Sequence, residues 1–473
     1  MTNSQVEIAA VSLSGRGLWR AEIAETVHLA LPIAFTQLGQ IAMMTSDLVL
    51  VGRLGDKAVA GSALAQIVLF VGFMLGMGLV SAVAPLAAQA FGAREPRMVR
   101  RSLRVGLWVS LLLSVPLVAV QLQGERILLA LGQEPEAARL AGDYLAGLTW
   151  SMVPGWWFIA LRSFMGAVNR PEPALWITLA AIPINTLLAY ALIFGAFGLP
   201  RLEMTGAGAA TTIVNAGMCI AGFWIAYTQR PFRKYRVLGR FWRADWALMG
   251  KLIVVGAPIS GSFLLEYGLF ASAAVMVGWL GTIPLAAHQI ALQTAAAVFM
   301  VPLGISMAAT VRVGQAVGRN DPLSARRAGF AAIALAVIFM AAMVVLIVAS
   351  RDLIPLAFLD TGDRDTDATI ALAATLLTIG ATFFIVDGIQ TVAAGALRGL
   401  NDTRVPMMFA AVSFWPVGFV ASYALGFPVG LGVTGVWIGF TIGLVLYAFL
   451  LTWRFHNLTR RGYMPAVAHA TPT

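Results

Sequence analysis

Residues 328–350 read AGFAAIALAVIFMAAMVVLIVAS, a run without a charged side chain. A stretch of about 20 apolar residues is long enough for a helix to cross the ~30 Å hydrocarbon core of a bilayer. The rest of the chain has the same character, since 59% of its 473 residues are hydrophobic and only 11% are charged. Soluble domains carry about 25% charged residues. The composition therefore predicts an integral membrane protein.

Eleven other apolar stretches have a similar length, so the sequence predicts twelve transmembrane helices, numbered as spans 1 to 12. They lie near residues 27–52, 60–88, 104–122, 141–166, 173–196, 205–228, 249–277, 284–311, 328–350, 369–396, 405–426 and 432–453. The predicted fold class is an all-α integral membrane protein. Residues 1–26 are polar and lack the apolar core of a signal peptide, so we expect no cleaved leader.

The basic residues predict the orientation of the chain. If both termini are cytoplasmic, the cytoplasmic segments hold 25 of the 32 Lys and Arg residues and the outer loops hold 7. Positive residues stay on the cytoplasmic side of membrane proteins, so we expect both termini there. The same distribution explains the net charge of +10 without nucleic acid, because the basic residues lie in short loops beside the membrane.

Other classes of site find little support. The single cysteine, Cys219, excludes disulfides within the chain and a cysteine metal site, and the four histidines show no ligand spacing. The sequence has no glycine-rich phosphate loop ending in Lys-Ser or Lys-Thr, so we expect no ATP-driven transport. We expect no organic cofactor, no enzymatic activity and a monomer.

The two halves of the chain repeat each other, which predicts two pseudo-symmetric bundles of six helices. Matched positions at a shift of 226 residues include Pro32 with Pro258, Gln89-Ala90 with Gln315-Ala316, and Gly92 with Gly318. Such halves often flank the substrate path of a secondary transporter. The predicted parts are an N-terminal segment 1–26, an N-lobe 27–228, a cytoplasmic linker 229–250, a C-lobe 251–453 and a cytoplasmic tail 454–473.

Three carboxylates lie inside predicted spans: Asp47, Glu266 and Asp387. A charge at the centre of a span costs roughly 2.5–3.5 kcal/mol on insertion scales, so such residues usually serve a function. At 1.5 Å per residue, they lie about 9 Å from the outer end of span 1, and about 22 and 16 Å from the cytoplasmic ends of spans 7 and 10. A carboxylate there can take up a proton or bind Na⁺, unless a buried basic partner neutralises it. We see no basic residue at comparable depth in these spans.

Weaker candidates accompany the carboxylates. The intramembrane amides are Gln37, Asn185, Asn215, Gln289 and Gln293, and each serves either as a helix–helix hydrogen bond or as a ligand contact. We place the first four on the substrate path. Pro32 and Pro258 mark equivalent places in spans 1 and 7. A proline inside a helix permits a kink, so either proline is a hinge or a tolerated irregularity.

Several motifs together resemble the multidrug and toxic compound extrusion (MATE) transporters, in particular their NorM-type bacterial branch. They are Asp47-Leu-Val-Leu-Val-Gly-Arg-Leu-Gly55 after Pro32, Pro85-Leu-Ala-Ala-Gln-Ala-Phe-Gly92, Ala286-Ala-His-Gln289, Arg312-Val-Gly-Gln-Ala-Val-Gly318 and Ala394-Gly-Ala-Leu-Arg-Gly-Leu-Asn-Asp-Thr-Arg404. The resemblance covers nearly the whole chain, from about residue 26 to 450.

The resemblance implies two six-helix lobes in a V, in a bacterial inner membrane. It also implies an antiporter that exports drug-like organic compounds, often cationic or zwitterionic, in exchange for Na⁺ or H⁺. Glu266 and Asp387 match the acidic residues that form the cation site in the C-lobe of the NorM branch, and they would bind Na⁺ if the coupling ion is sodium. Asp47 matches the acid of span 1.

Two positions depart from the family pattern. Ala189 stands in span 5 where a related branch carries an acid, which favours the C-lobe site. Phe383, one turn before Asp387, stands where some members carry a hydroxyl-bearing aromatic residue, and we place it on the substrate path.

Two rival functions fit the sequence less well than export. A lipid-linked oligosaccharide flippase of the same broad superfamily tends to have additional spans and a basic central groove, whereas this chain has twelve spans with acidic residues. A channel would need a continuous polar stripe, which the twofold repeat lacks.

Overall fold

The computed structural model describes residues 15–239, 241–243, 245–359 and 364–465. Throughout these residues the regular structure is helical. Eleven of the described helices are long and apolar enough to cross a membrane, so the chain is a multi-pass membrane protein. Spans 1 to 3 and 5 to 12 are Gly15–Gly52, Asp56–Gly92, Pro96–Gln121, Glu172–Phe194, Glu203–Thr228, Trp246–Trp279, Thr282–Gly318, Pro322–Ala349, Arg364–Gly399, Arg404–Gly426 and Gly432–Arg460. Span 2 consists of Asp56–Ser81 and Val83–Gly92, which meet at a turn at Ala82.

Span 4 is missing from the eleven, because its two helices, of 14 and 16 residues, are each too short to cross a membrane alone. It consists of Pro135–Leu148 and Met152–Ala167, joined by a tight 3₁₀ turn. Pro154 has no N–H to donate to the carbonyl of Trp150, which accounts for the break one turn before the proline. The predicted span at 141–166 is therefore two shorter helices in series. A short helix, Gly124–Ala130, precedes it.

Several spans continue beyond their predicted ends. Span 1 begins at Gly15 rather than at residue 27, so much of the predicted N-terminal segment is helical, while residues 1–14 lie outside the described chain. Glu22 supports this extension by accepting a hydrogen bond from Arg312 at 2.8 Å. Span 12 likewise runs to Arg460, beyond residue 453. Residues 466–473 of the predicted tail lie outside the described chain.

Spans 1 to 6 pack with one another, and so do spans 7 to 12, as the internal repeat predicts. The two lobes meet where span 1 lies against span 8 and where span 2 lies against spans 7 and 8. The interlobe hydrogen bonds of the described residues run from the middle of the bundle, where Ser260 donates to the carbonyl of Leu75 at 2.7 Å, to the end that carries the 229–250 linker. We call this end the linker end.

The linker itself is bound to the N-lobe. Phe232 and Tyr235 are buried against Phe164 of span 4, with ring centroids 5.9 and 5.5 Å apart. Asp245, just before span 7, accepts a hydrogen bond from Arg101 of span 3 at 2.6 Å. The linker therefore packs as part of the N-lobe.

Two glutamines close the linker end in a crossed arrangement, which we call the glutamine clamp. Gln89 of span 2 donates to the carbonyl of Gly399 at 3.0 Å and accepts from Asn401 at 2.8 Å. In the opposite direction, Gln315 of span 8 donates to the carbonyl of Ala167 at 3.0 Å and to Asn169 at 2.9 Å. Each glutamine thus binds the end of a helix in the other lobe.

Two glycines allow the clamp to form. A Cβ atom on Gly92 would lie 2.1 Å from the carbonyl oxygen of Gln315, and one on Gly318 would lie 2.0 Å from that of Gln89. A carbon and a carbonyl oxygen normally approach to about 3.3–3.6 Å, so only glycine permits this contact. The repeat places Gln89 in register with Gln315, and Gly92 in register with Gly318. At the lobe interface the contacts cross, because Gly92 lies against Gln315 and Gly318 lies against Gln89.

The predicted hinge prolines lie inside continuous helices. Thr36 donates to the carbonyl of Pro32 at 2.8 Å, and Ser262 donates to that of Pro258 at 3.0 Å, so the same local bond occurs in both repeats. A proline does occur at an irregularity in span 11, where Pro416 lies in a π-helical segment, Ser413–Phe419. The hinge role of Pro32 and Pro258 stays a prediction.

Candidate functional site

The two C-lobe carboxylates come together although they lie on spans 7 and 10. The amide nitrogen of Gln390 donates to Oε1 of Glu266 at 2.9 Å and to Oδ1 of Asp387 at 3.0 Å. Asp387 is only 4% exposed, and Glu266 is half-buried. Two ionised carboxylates that share one donor repel each other strongly where water is scarce. A shared proton or a bound monovalent cation removes that repulsion.

The atoms around Gln390 favour a cation ligand. Its amide nitrogen also lies 3.1 Å from the hydroxyl oxygen of Thr391, so three oxygens surround a nitrogen that carries two hydrogens. Hard cations prefer oxygen ligands. The site therefore supplies oxygens from two carboxylates and a hydroxyl within one small volume. Sequence reasoning missed Gln390 and Thr391, although Gln390 follows Asp387 by three residues and must share its helix face.

A basic side chain lies closer than the sequence suggested. Arg398, at the end of span 10, interacts electrostatically with Glu266, and its guanidinium lies 4.9 Å from the ring centre of Phe263. The expectation that no basic partner is near the carboxylates was wrong for Glu266. Counting along the helix gave the depth of the Arg398 backbone, but a long arginine side chain reaches well beyond it. Two carboxylates and one guanidinium carry a net charge of −1, which a single monovalent cation neutralises.

The N-lobe carboxylate has a separate set of partners. Asp47 accepts hydrogen bonds from Asn185 at 2.6 Å and from Thr211 at 3.1 Å, which joins spans 1, 5 and 6. Asp47 is 8% exposed and Asn185 is fully buried. In this conformation Asn185 contacts the carboxylate rather than an open path. Ala189, one turn further along span 5, is also buried and adds no second charge.

The remaining predicted residues fall into two groups. Gln37 is buried and accepts a hydrogen bond from Arg162, and Phe383 is buried against the rings of Trp437 and Phe440. In contrast, Gln289 is exposed and Asn215 is half-buried. Gln289 and Asn215 are thus accessible in this conformation, whereas Gln37 and Phe383 are not, and their place on a substrate path stays a prediction.

Gln289 does not stand alone on its helix. Gln293 follows it by four residues on the same face of span 8, and it is exposed as well. Exposed amides inside a membrane span usually face a water-filled cavity, because they lack partners in lipid. This face of span 8 therefore supports a polar cavity.

Comparison with known proteins agrees with this architecture. The MatE family model matches residues 32–191 and 258–424, and the two matches begin 226 residues apart, which is the shift of the internal repeat. A protein of Rhodopseudomonas palustris described as "Probable multidrug resistance protein NorM" is 62% identical over 98% of both chains. One of Bradyrhizobium diazoefficiens with the same description is 57% identical, over 93% of this chain and 94% of its own.

Solved structures show the same fold at low sequence identity. The eukaryotic MATE transporter AtDTX14 superimposes with a TM-score of 0.83 at 20% identity, over 94% of this chain and 99% of its own. A MATE transporter of the MOP superfamily in an outward-facing conformation also gives 0.83 at 20% identity, over 93% of this chain and 96% of its own. The family model fits both halves and the relatives match along nearly the full length, so the chain belongs to the MatE family.

Proposed function

We propose that this protein is a secondary active multidrug efflux antiporter. It exports organic compounds, often cationic, in exchange for Na⁺ or H⁺ by alternating access. The observation that carries the proposal is the pair Glu266 and Asp387, which share the amide of Gln390 inside the membrane. Relatives described as multidrug resistance proteins support the substrate class.

The carboxylate pair couples drug to ion by competition. A cationic drug binds best when Glu266 and Asp387 are free of H⁺ or Na⁺. An ion that enters from outside neutralises the pair and releases the drug outward, and the ion-loaded protein then reorients and unloads inside. A ligand drives this cycle only through its unequal affinity for the two states.

Charge balance limits the energy available to the cycle. Each net charge moved through the membrane potential contributes about 2.3 kcal/mol per 100 mV. The exchange of one monovalent cationic drug for one monovalent cation moves no net charge across the membrane. Such an exchange depends on the chemical gradient of the ion, or on a second ion. The separate N-lobe centre at Asp47 is the candidate place for that second ion.

The competition can be measured at equilibrium. Raising the concentration of the coupling ion should weaken the binding of a fluorescent organic cation to detergent-solubilised protein, because both ligands need the same negative charge. Glu266→Gln should remove part of that dependence, and Asp352→Asn, an exposed carboxylate outside the lobes' interior, should leave it unchanged. Fluorescence anisotropy across pH and across Na⁺ concentration gives the affinities. If the affinity for the drug stays constant both across pH and across Na⁺ concentration, competition between drug and ion is excluded.

The two rival functions are weaker. A pyrophosphate-linked sugar lipid needs a positively charged groove, whereas the C-lobe cluster of two carboxylates and one arginine is negative. A channel needs a path open at both ends, whereas the glutamine clamp closes the linker end.

We also propose that the protein lies in a bacterial inner membrane with both termini and the linker in the cytoplasm. This orientation rests on the 25 basic residues of the linker side. Single cysteines at Lys234 and Asp352, in a Cys219→Ala background, should therefore react oppositely with an impermeant maleimide added outside intact cells. Both positions are exposed, so access depends on the side of the membrane. Labelling at Lys234 alone would show that the orientation is inverted.

A further inference from the structure

Arg162 of span 4 is a buried cation without a counter-charge. It is 9% exposed, and its guanidinium donates to the amide oxygens of Gln37 at 2.5 Å and Gln40 at 3.2 Å. Among the described residues no carboxylate forms an ion pair with it. Arginine remains charged in proteins, and buried charges are normally paired. Two neutral amides orient the guanidinium but do not neutralise it.

Two hydrogen-bond donors at this place lack acceptors. Within the described chain, neither the Nε–H of Arg162 nor the hydroxyl of Ser163 has a partner, and Ser163 is only 4% exposed. Many buried hydroxyls in the spans donate to a carbonyl one turn earlier, as Ser110 and Thr178 do. Ser163 does not, and it differs from the other unpartnered hydroxyls, such as that of Ser413, in lying beside an unpaired guanidinium. A buried donor without an acceptor is costly, so an acceptor that protein atoms do not supply is expected at this position.

Arg162 and Ser163, which carry these donors, are among the residues that line a small cavity. It has room for a ligand of about the size of a water molecule, and its remaining wall is largely apolar, formed by side chains such as Ile33, Ala84 and Ala174. The wall also includes Met307 and Val311 of span 8, which belong to the other lobe. Arg162 lies five residues before the end of span 4, or about 8 Å from the linker end. The cavity is therefore complete only when the two lobes meet at that end.

We propose that Arg162 and Ser163 bind a small inorganic anion of the chloride class, held between the lobes at the linker end. The anion supplies the missing negative charge and accepts from both unpartnered donors, and the wall around it is otherwise largely apolar. Because span 8 closes the cavity, the anion binds the linker-closed conformation more tightly than the open one. By linkage, bound anion then favours that conformation.

The test uses the purified full-length protein and does not depend on transport. Cys219 is 5% exposed, so its reaction with a thiol-reactive fluorophore during heating reports unfolding. A chloride titration, balanced with gluconate at constant ionic strength, should raise the unfolding temperature of the wild type in a saturable way. Arg162→Gln should abolish the shift. Ser163→Ala should raise the apparent dissociation constant about tenfold, as expected for one hydrogen bond to a charged acceptor.

Two variants serve as matched controls. Arg312 faces the same interface but is paired with Glu22 and Glu25, so Arg312→Gln should retain the chloride shift. Ser110→Ala, which removes a satisfied buried hydroxyl, should retain it too. In gluconate, Arg162→Gln should unfold no lower than the wild type, because it loses an unpaired charge. An equal chloride shift in Arg162→Gln, or no saturable shift in the wild type, would overturn the assignment. An Arg162-dependent shift with carboxylate-bearing drugs but not with chloride would also reject an inorganic anion.

Discussion

Glu266→Gln and Asp387→Asn are each expected to reduce ion-driven drug efflux in proteoliposomes to the rate of protein-free vesicles. An amide keeps the shape of the carboxyl group but cannot cycle between a free charge and a neutralised one. Each change also leaves the other carboxylate beside Gln390, so the site should keep its packing. Efflux of a fluorescent organic cation, driven first by a Na⁺ gradient and then by a pH gradient, measures the loss and identifies the coupling ion.

The control for these two variants is Asp352→Asn. The carboxylate of Asp352 is exposed and lies outside the interior of the lobes. This variant should transport like the wild type. The unfolding temperature of Asp387→Asn should not fall, because this change removes repulsion between two carboxylates and leaves Glu266 beside Arg398. Wild-type efflux in both C-lobe variants would refute the assignment of the coupling site.

Gly92→Ala and Gly318→Ala are expected to stop transport by preventing closure of the linker end. The new methyl group would lie 2.1 or 2.0 Å from a backbone carbonyl oxygen of the other lobe, so the lobes must separate by more than about 1 Å. That separation breaks the glutamine clamp. Its four hydrogen bonds contribute about 1 kcal/mol each, so their loss shifts the balance between closed and open states several hundredfold.

Accessibility at the interface gives a direct measurement of this effect. Ala88 of span 2 is fully buried beneath Gly314, so a cysteine there should resist maleimide in a Cys219→Ala background. It should react once Gly92→Ala is added. Gly217→Ala is the matched control, because a Cβ at Gly217 meets nothing within 4 Å. Unchanged transport and an unreactive Ala88→Cys in the Gly92→Ala protein would show that the clamp is not required.

The membrane architecture could be predicted from the sequence because it depends on local patterns. Apolar runs of the right length located the spans, and the register of Gln89 with Gln315 revealed the two lobes. The break in span 4 escaped the same reasoning. Pro154 was visible, but tertiary contacts decide whether a proline kinks a helix or interrupts it.

The candidate site was only partly predictable, for a different reason. Position along a helix identified Glu266 and Asp387 as unusually deep charges, yet it gave no information about which helices face each other. The bridging role of Gln390 and the reach of Arg398 depend on the packing of spans 7 and 10. The repeat likewise marked Gly92 and Gly318 as equivalent, but their contact across the lobe interface is a long-range property that residue patterns do not encode.

The crossed form of the glutamine clamp has a consequence for the energy supply of the cell. A carrier that opened at both ends, even briefly, would let ions run down the gradient that powers it. Gln89 donates from the N-lobe to the C-lobe, and Gln315 donates in the opposite direction. A fluctuation that breaks the hydrogen bonds of one glutamine therefore leaves those of the other intact. The linker end then opens only when both release together. A lock of this kind keeps ion leakage rare while the opposite end of the protein is open.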